Sequence, residues 1–101
     1  MFRQVISVTW ADGASAVAKQ GYRDALAGLR VIPELLALDF GDDAGHFEGN
    51  YDFVAIMDFA DFASARVYVE NPLHQSYIRD HASKVIGQRV VVQYDWDPQS
   101  P

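Results

Sequence analysis

Apolar and polar residues alternate from Phe2 to Trp10. Phe2, Gln4, Ile6, Val8 and Trp10 share one face, and Arg3, Val5, Ser7 and Thr9 the other. A period of two predicts a strand. Asp12-Gly13 ends it, and Ser15 is suited to cap a helix reaching Leu29. Within that helix Val17, Tyr22, Leu26 and Leu29 recur at helical spacing, leaving Lys19, Gln20, Arg23 and Asp24 for solvent. Pro33 stops any helix before it. The apolar run from Glu34 to Asp39 predicts a second strand, followed by a polar loop over 44–50. Tyr51 to Phe59 predicts a third strand, with Phe53, Ala55, Met57 and Phe59 opposite Val54, Ile56 and Asp58. Asp61 caps a helix running to Val69, Asn71-Pro72 breaks it, and a further helix spans Leu73 to Val85. Gly87 introduces the last strand, Gln88 to Trp96.

The order is β-α-β-β-α-β, an α+β, ferredoxin-like arrangement with a four-stranded antiparallel sheet. One domain over 1–97 is expected, with a frayed tail over 98–101. Both faces of the strands carry apolar side chains, yet two helices cover only one face. Pairing with a second copy through the other face satisfies both, giving a dimeric α+β barrel.

Composition narrows the functional classes. With 101 residues, 50% hydrophobic, the chain suits one packed domain. A formal charge of −6 argues against nucleic acid and anionic membrane surfaces, which select clustered Lys and Arg. No cysteine means no disulfide, thiolate metal site or Cys nucleophile. The first residues lack the pattern of a signal peptide, and no run approaches the length of a membrane helix, so a soluble cytoplasmic protein is expected.

Three histidines carry the candidate chemistry. His74 follows the helix-breaking Pro72, where a side chain can turn inward, and imidazole exchanges protons near neutral pH without large tuning. Its bland role would be capping a helix or bonding a backbone carbonyl. His46 lies near Asp42, Asp43 and Glu48, an oxygen-rich loop that could hold a divalent cation, although loop acids are usually just solvated. His81, among Arg79, Asp80 and Lys84, reads as a surface residue, and Trp10 and Trp96 as packing or interface anchors. No phosphate loop, Ser-His-Asp set or zinc spacing occurs, so no metal and no cofactor is expected.

Several segments, in order, are similar to the Dabb (stress-responsive α/β-barrel) family. They are Ile32-Pro33, Glu48-Gly49-Asn50-Tyr51-Asp52-Phe53, Tyr68-Val69-Glu70-Asn71-Pro72-Leu73-His74-Gln75 and Val91-Val92-Gln93-Tyr94. The resemblance implies a homodimer whose sheets form a central barrel, with a cavity in each subunit between sheet and helices. A few members, of the olivetolic-acid type, are polyketide cyclases that need neither metal nor cofactor. Carried over by position, their base is His74 and the assisting tyrosine is Tyr68. Gln4, Phe53 and Asn71 stand where histidines occur in family members, and Gln93 where the cyclases place an acid. Gln4, Ile6, Val8, Tyr22, Phe53, Ala55, Met57 and Gln93 are the expected lining of a pocket for a small apolar or aromatic molecule. Three functions follow as expectations: a cofactor-free cyclase or lyase on polyketide-like or phenolic substrates, a non-catalytic dimer binding hydrophobic ligands, and a cofactor-independent monooxygenase of phenolic compounds.

Overall fold

The structure, a computed structural model, describes residues 1–99. The tail expected over 98–101 therefore lies partly outside the described residues. Strand β1 (Phe2–Trp10) leads through a turn at Gly13, whose φ of 79° suits a residue without Cβ, into α1 (Ala16–Gly28). The Ser15 hydroxyl caps α1 by accepting from the Ala18 N–H at 3.0 Å. A 3-10 turn over Leu29–Val31 leads to β2 (Ala37–Asp42) and β3 (Phe53–Phe59). Asp61 caps α2 (Phe62–Glu70) through the Ser64 N–H at 2.8 Å. Asn71 ends α2 and caps α3 (Pro72–Tyr77), its side-chain oxygen accepting from the Leu73 N–H at 2.9 Å. Pro72 stands in the first turn of α3, where its missing N–H costs nothing. A π-helical turn, Ile78–Ala82, and a short helix α4 (Ser83–Val85) precede β4 (Ile86–Asp95).

The four strands form one antiparallel sheet in the order β2-β3-β1-β4. This is the ferredoxin-like fold that the element order predicts. Phe2, Val8, Phe53, Ala55, Met57 and Phe59 point to the helices and are buried with Tyr22, Leu26, Leu29, Tyr68 and Val85. Each large side chain taken fully out of water here contributes roughly 1.5–3 kcal/mol to stability. On the opposite face, Val5, Val54, Ile56, Val90, Val92 and Tyr94 fall in register, with the Arg3–Asp58 ion pair at 2.8 Å beside them. Among the described residues, no helix covers that face.

Several boundaries differ from the sequence pattern: β3 begins at Phe53 rather than Tyr51, and β2 runs on to Asp42 past Asp39. The second strand begins at Ala37, not Glu34, because Ile32 and Leu35 serve as buried anchors of the connection into it. The helix expected from Leu73 to Val85 is interrupted by the π turn, while Tyr77, Ala82 and Val85 remain inward. The last strand starts at Ile86, which pairs with Trp10, and an irregularity follows before Arg89 pairs with Val8. Gly87 is required there: a Cβ would meet the Thr9 hydroxyl at 2.9 Å and the Trp10 carbonyl oxygen at 3.1 Å. Val17, expected on the inner face of α1, points to solvent, and Ala18 and Ala25 pack on the core instead.

Candidate functional site

A cavity of about 340 Å³ opens between the sheet and the α3 region. Its sheet wall comes from β1 (Gln4, Ile6), β3 (Met57) and β4 (Ile86, Arg89, Val91, Gln93). Tyr22 of α1, Val69 of α2, and His74, Tyr77 and Ile78 of α3 and its π turn close the other side. The volume lies at the low end for small-molecule sites.

His74 owes its place to the Asn71–Pro72 break, which redirects the chain so that α3 starts over the sheet. Its ring is 4.7 Å from the Tyr68 ring and 5.7 Å from that of Tyr77, centroid to centroid. Desolvation lowers the His74 pKa below the ordinary 6.5, partly countered by a hydrogen bond to the Val69 carbonyl. The ring is therefore neutral at neutral pH. Among the described residues no other side chain hydrogen-bonds to its ring nitrogens. Such an imidazole can accept a proton from a bound molecule.

Tyrosines surround it. Tyr22 and Tyr77 lie 5.6 Å apart, ring to ring, and both line the cavity. Burial pushes both hydroxyls above the ordinary 10, and pairing with Tyr77 pulls Tyr22 partly back. They stay protonated over the working pH range and act as hydrogen-bond donors, not bases. Tyr68 is raised likewise by burial, but it does not line the cavity. It is 1% exposed beneath His74, and its hydroxyl faces the Met57 sulfur at 3.7 Å.

Two glutamines replace titratable groups at the other end. The Gln93 amide donates to the Gln4 carbonyl oxygen at 2.6 Å, and the Gln4 amide faces the Met57 sulfur at 3.6 Å. Beyond this bar lies a second hollow of about 160 Å³, which shares Gln4, Val69 and Gln93 and adds Phe62, Ala65, Arg66 and Glu70.

Of the residues expected at the site, the cavity brings together Gln4, Ile6, Tyr22, Met57, His74 and Gln93. Val8, Phe53 and Ala55 are not among its lining: each is at most 2% exposed within the core. The reason is their position along the strands, where Tyr22 and Trp10 close over Phe53 at 5.5 and 5.4 Å. Tyr77 and Arg89 were missed by the sequence reading. Tyr77 lies three residues after His74 on a helix, and Arg89 four before Gln93 on a strand, so both spacings carried the signal.

The loop acids do not converge. Among the described residues, no three His, Asp or Glu side chains stand close enough to hold a metal ion. Asp42 pairs with Arg23 at 2.7 Å, and Asp43 accepts from Asn50 and the Gly45 N–H. His81 packs over Gly21 outside the cavity, where a Cβ on Gly21 would lie 3.6 Å from its ring. Trp10 packs on Tyr22 and Phe53, whereas Trp96 stacks with the Arg3 guanidinium at 4.1 Å. Among the described residues, no helix is long and apolar enough to cross a membrane.

Comparison with known proteins agrees with this architecture. A dimeric ferredoxin-like protein of unknown function from Thermobifida fusca is similar, at 29% identity and a TM-score of 0.85, covering 94% of this chain and 90% of that one. The hydroxynitrile lyase of Passiflora edulis has a TM-score of 0.84 at 15% identity, covering 99% and 96%. An antibiotic biosynthesis monooxygenase has a TM-score of 0.75 at 19% identity, covering 97% and 100%. At those identities the last two share the fold alone. No curated protein matches the sequence. The family description of the stress responsive A/B barrel domain matches residues 3–96, nearly the whole length. The chain belongs to the Dabb, or stress responsive A/B barrel domain, family.

Proposed function

We propose that the chain is a homodimer, joined through its open sheet faces, whose cavities perform cofactor-free acid–base chemistry on a small polyketide-like or phenolic molecule. The observation that carries this reading is the place of His74: it lines the cavity, packs on Tyr68 and Tyr77, and is held neutral by desolvation. In a cyclisation, His74 takes a proton from the carbon between two carbonyls. The resulting enolate carbon attacks a second carbonyl of the same chain, and the imidazolium returns the proton to the new alkoxide. In a lyase reaction the same base deprotonates the hydroxyl of the bond-breaking carbon. The phenols of Tyr77 and Tyr22 would donate to the oxygen that gains charge. Tyr68, which the family likeness puts in that role, would instead position His74 by packing beneath it.

His74→Gln is expected to retain ligand binding while lowering turnover roughly 10²–10⁴-fold, the usual contribution of a general base. Product analysis with a poly-β-keto thioester, wild type against variant, checks it. Unchanged turnover would sink the catalytic reading.

The glutamine bar favours a second reading, a dimer that binds a hydrophobic molecule without transforming it. Gln4 and Gln93 neither titrate nor assist the base, and they satisfy each other. That protein would bind phenols through the same cavity and yield no product. A third, cofactor-independent oxidation of a phenol, is distinguished from both by oxygen consumption.

A further inference from the structure

We propose that Arg89 makes the cavity selective for small molecules carrying a carboxylate, which its guanidinium would bind at one end of the cavity; this rests on the reading that the cavity is a ligand site. The chain carries 14 acidic and 8 basic residues, and three of its arginines form ion pairs. Arg3 pairs with Asp58, Arg23 with Asp42, and the exposed Arg79 with Asp80. Arg89 makes no ion pair or side-chain hydrogen bond among the described residues, yet it faces the cavity beside Ile86 and Val91. Among the described residues it is the only charged residue lining that cavity, and no carboxylate shares the wall. An exposed arginine without an ion-pair partner at the edge of this cavity is placed where a ligand can supply the missing charge.

The geometry also sets the shape of that ligand. Arg89 and Gln93 lie on one face of β4 with Val91 between them, about 13 Å apart at strand rise. A carboxylate at Arg89 would be followed by an apolar body against Val91 and Ile6, reaching towards His74 and the glutamines. The planar five-donor fork of arginine suits a carboxylate better than a neutral amide, because both oxygens are engaged and the pair is charge-assisted.

Matched probes test this: 4-phenylbutanoate and its uncharged analogue 4-phenylbutanamide, titrated into the full chain at pH 7.5 and followed by the NMR signals of the His74 ring. The acid is expected to bind wild type about tenfold more tightly than the amide, a modest charge-assisted gain for a partly exposed pair. Arg89→Gln should bring that ratio to about one with amide binding unchanged, and Arg89→Lys should recover part of it. Arg66→Gln, in the neighbouring hollow, should leave the ratio as in wild type. Equal binding of both probes to wild type, or a preference that survives Arg89→Gln or vanishes in Arg66→Gln, overturns the assignment of Arg89 while the cavity remains a ligand site. Silence of the His74 signals to both probes overturns the cavity reading and this proposal together.

Discussion

Strands β3 and β4 both carry a run of apolar residues, and the two runs meet opposite fates. In β3, Phe53, Ala55, Met57 and Phe59 are sealed under α1 and α2, where Tyr22 meets Phe53 and Tyr68 meets both Phe59 and the Met57 sulfur. In β4, an edge strand, every residue after Ile86 is exposed, although Val90, Val91 and Val92 are as apolar as anything in β3. The helices reach across three strands and stop short of the fourth. What they leave uncovered on their own side becomes the cavity, with Arg89, Val91 and Gln93 as its floor. An apolar strand thus states a demand for partners without saying whether helix, ligand or second subunit will meet it.

The sharpest contrast between the strands is in stability. Phe53→Ala empties a site packed by Tyr22, Trp10 and Phe40, and should cost about 3–5 kcal/mol in urea unfolding. Val91→Ala, on the same side of the sheet, should cost under about 1 kcal/mol, because its side chain already meets open space. Equal losses would mean that β4 is packed in solution by something beyond the single chain.

The open face gives the next effect. Ile56 lies at the centre of that face, between β1 Val5 and β2 Asp39 in the pairing. A charge there must be desolvated when two sheets close on each other. Ile56→Asp is expected to convert the proposed dimer to monomer at micromolar concentration by analytical ultracentrifugation. Val91→Asp, pointing to the helix side, should leave the assembly intact. If Ile56→Asp stays dimeric, the barrel arrangement fails and a different surface joins the subunits.

Much of this was legible in the alternation of residues, and the exceptions have physical causes. Period two assigned the residues of β1 and β3 to faces, so Gln4 and Ile6 shared one face and Met57 stood with Phe53, while Gln93 was expected at the cavity from the family resemblance. It could not say where along the strand a helix would press, which is why Val8, Phe53 and Ala55 were expected in the cavity and lie in the core instead. Leu35 and Leu36 read as strand because they are apolar, but Leu35 is a loop anchor and Leu36 only meets the strand edge, donating its N–H to the Asp58 carbonyl at 2.8 Å. The π turn left no mark, since Tyr77, Ala82 and Val85 remain inward through it. His74 was legible from Pro72. Tyr68 was expected to assist His74 from the family resemblance, and only packing shows that its hydroxyl turns to the Met57 sulfur and away from the cavity.

The smallest effect separates the cavity floor from its roof. His74 is the titratable group of the roof with a depressed pKa, whereas the floor offers two glutamines and an arginine. Because desolvation favours its neutral form, folding holds the proton off His74 more strongly than the unfolded chain does. Its contribution is fully present above the unfolded value of 6.5 and is lost as pH falls through the lower folded value. Unfolding free energy should therefore decline on acidification below pH 6.5, more in wild type than in His74→Gln, where nothing at that position protonates. Parallel urea titrations between pH 7.5 and 5 measure the difference. Identical slopes would mean that water reaches His74 as freely as in the unfolded chain, and the cavity would then lack the desolvation a general base there requires. A shallower slope in the variant would instead tie the same burial that costs acid stability to the neutral, proton-accepting imidazole on which the proposed chemistry depends.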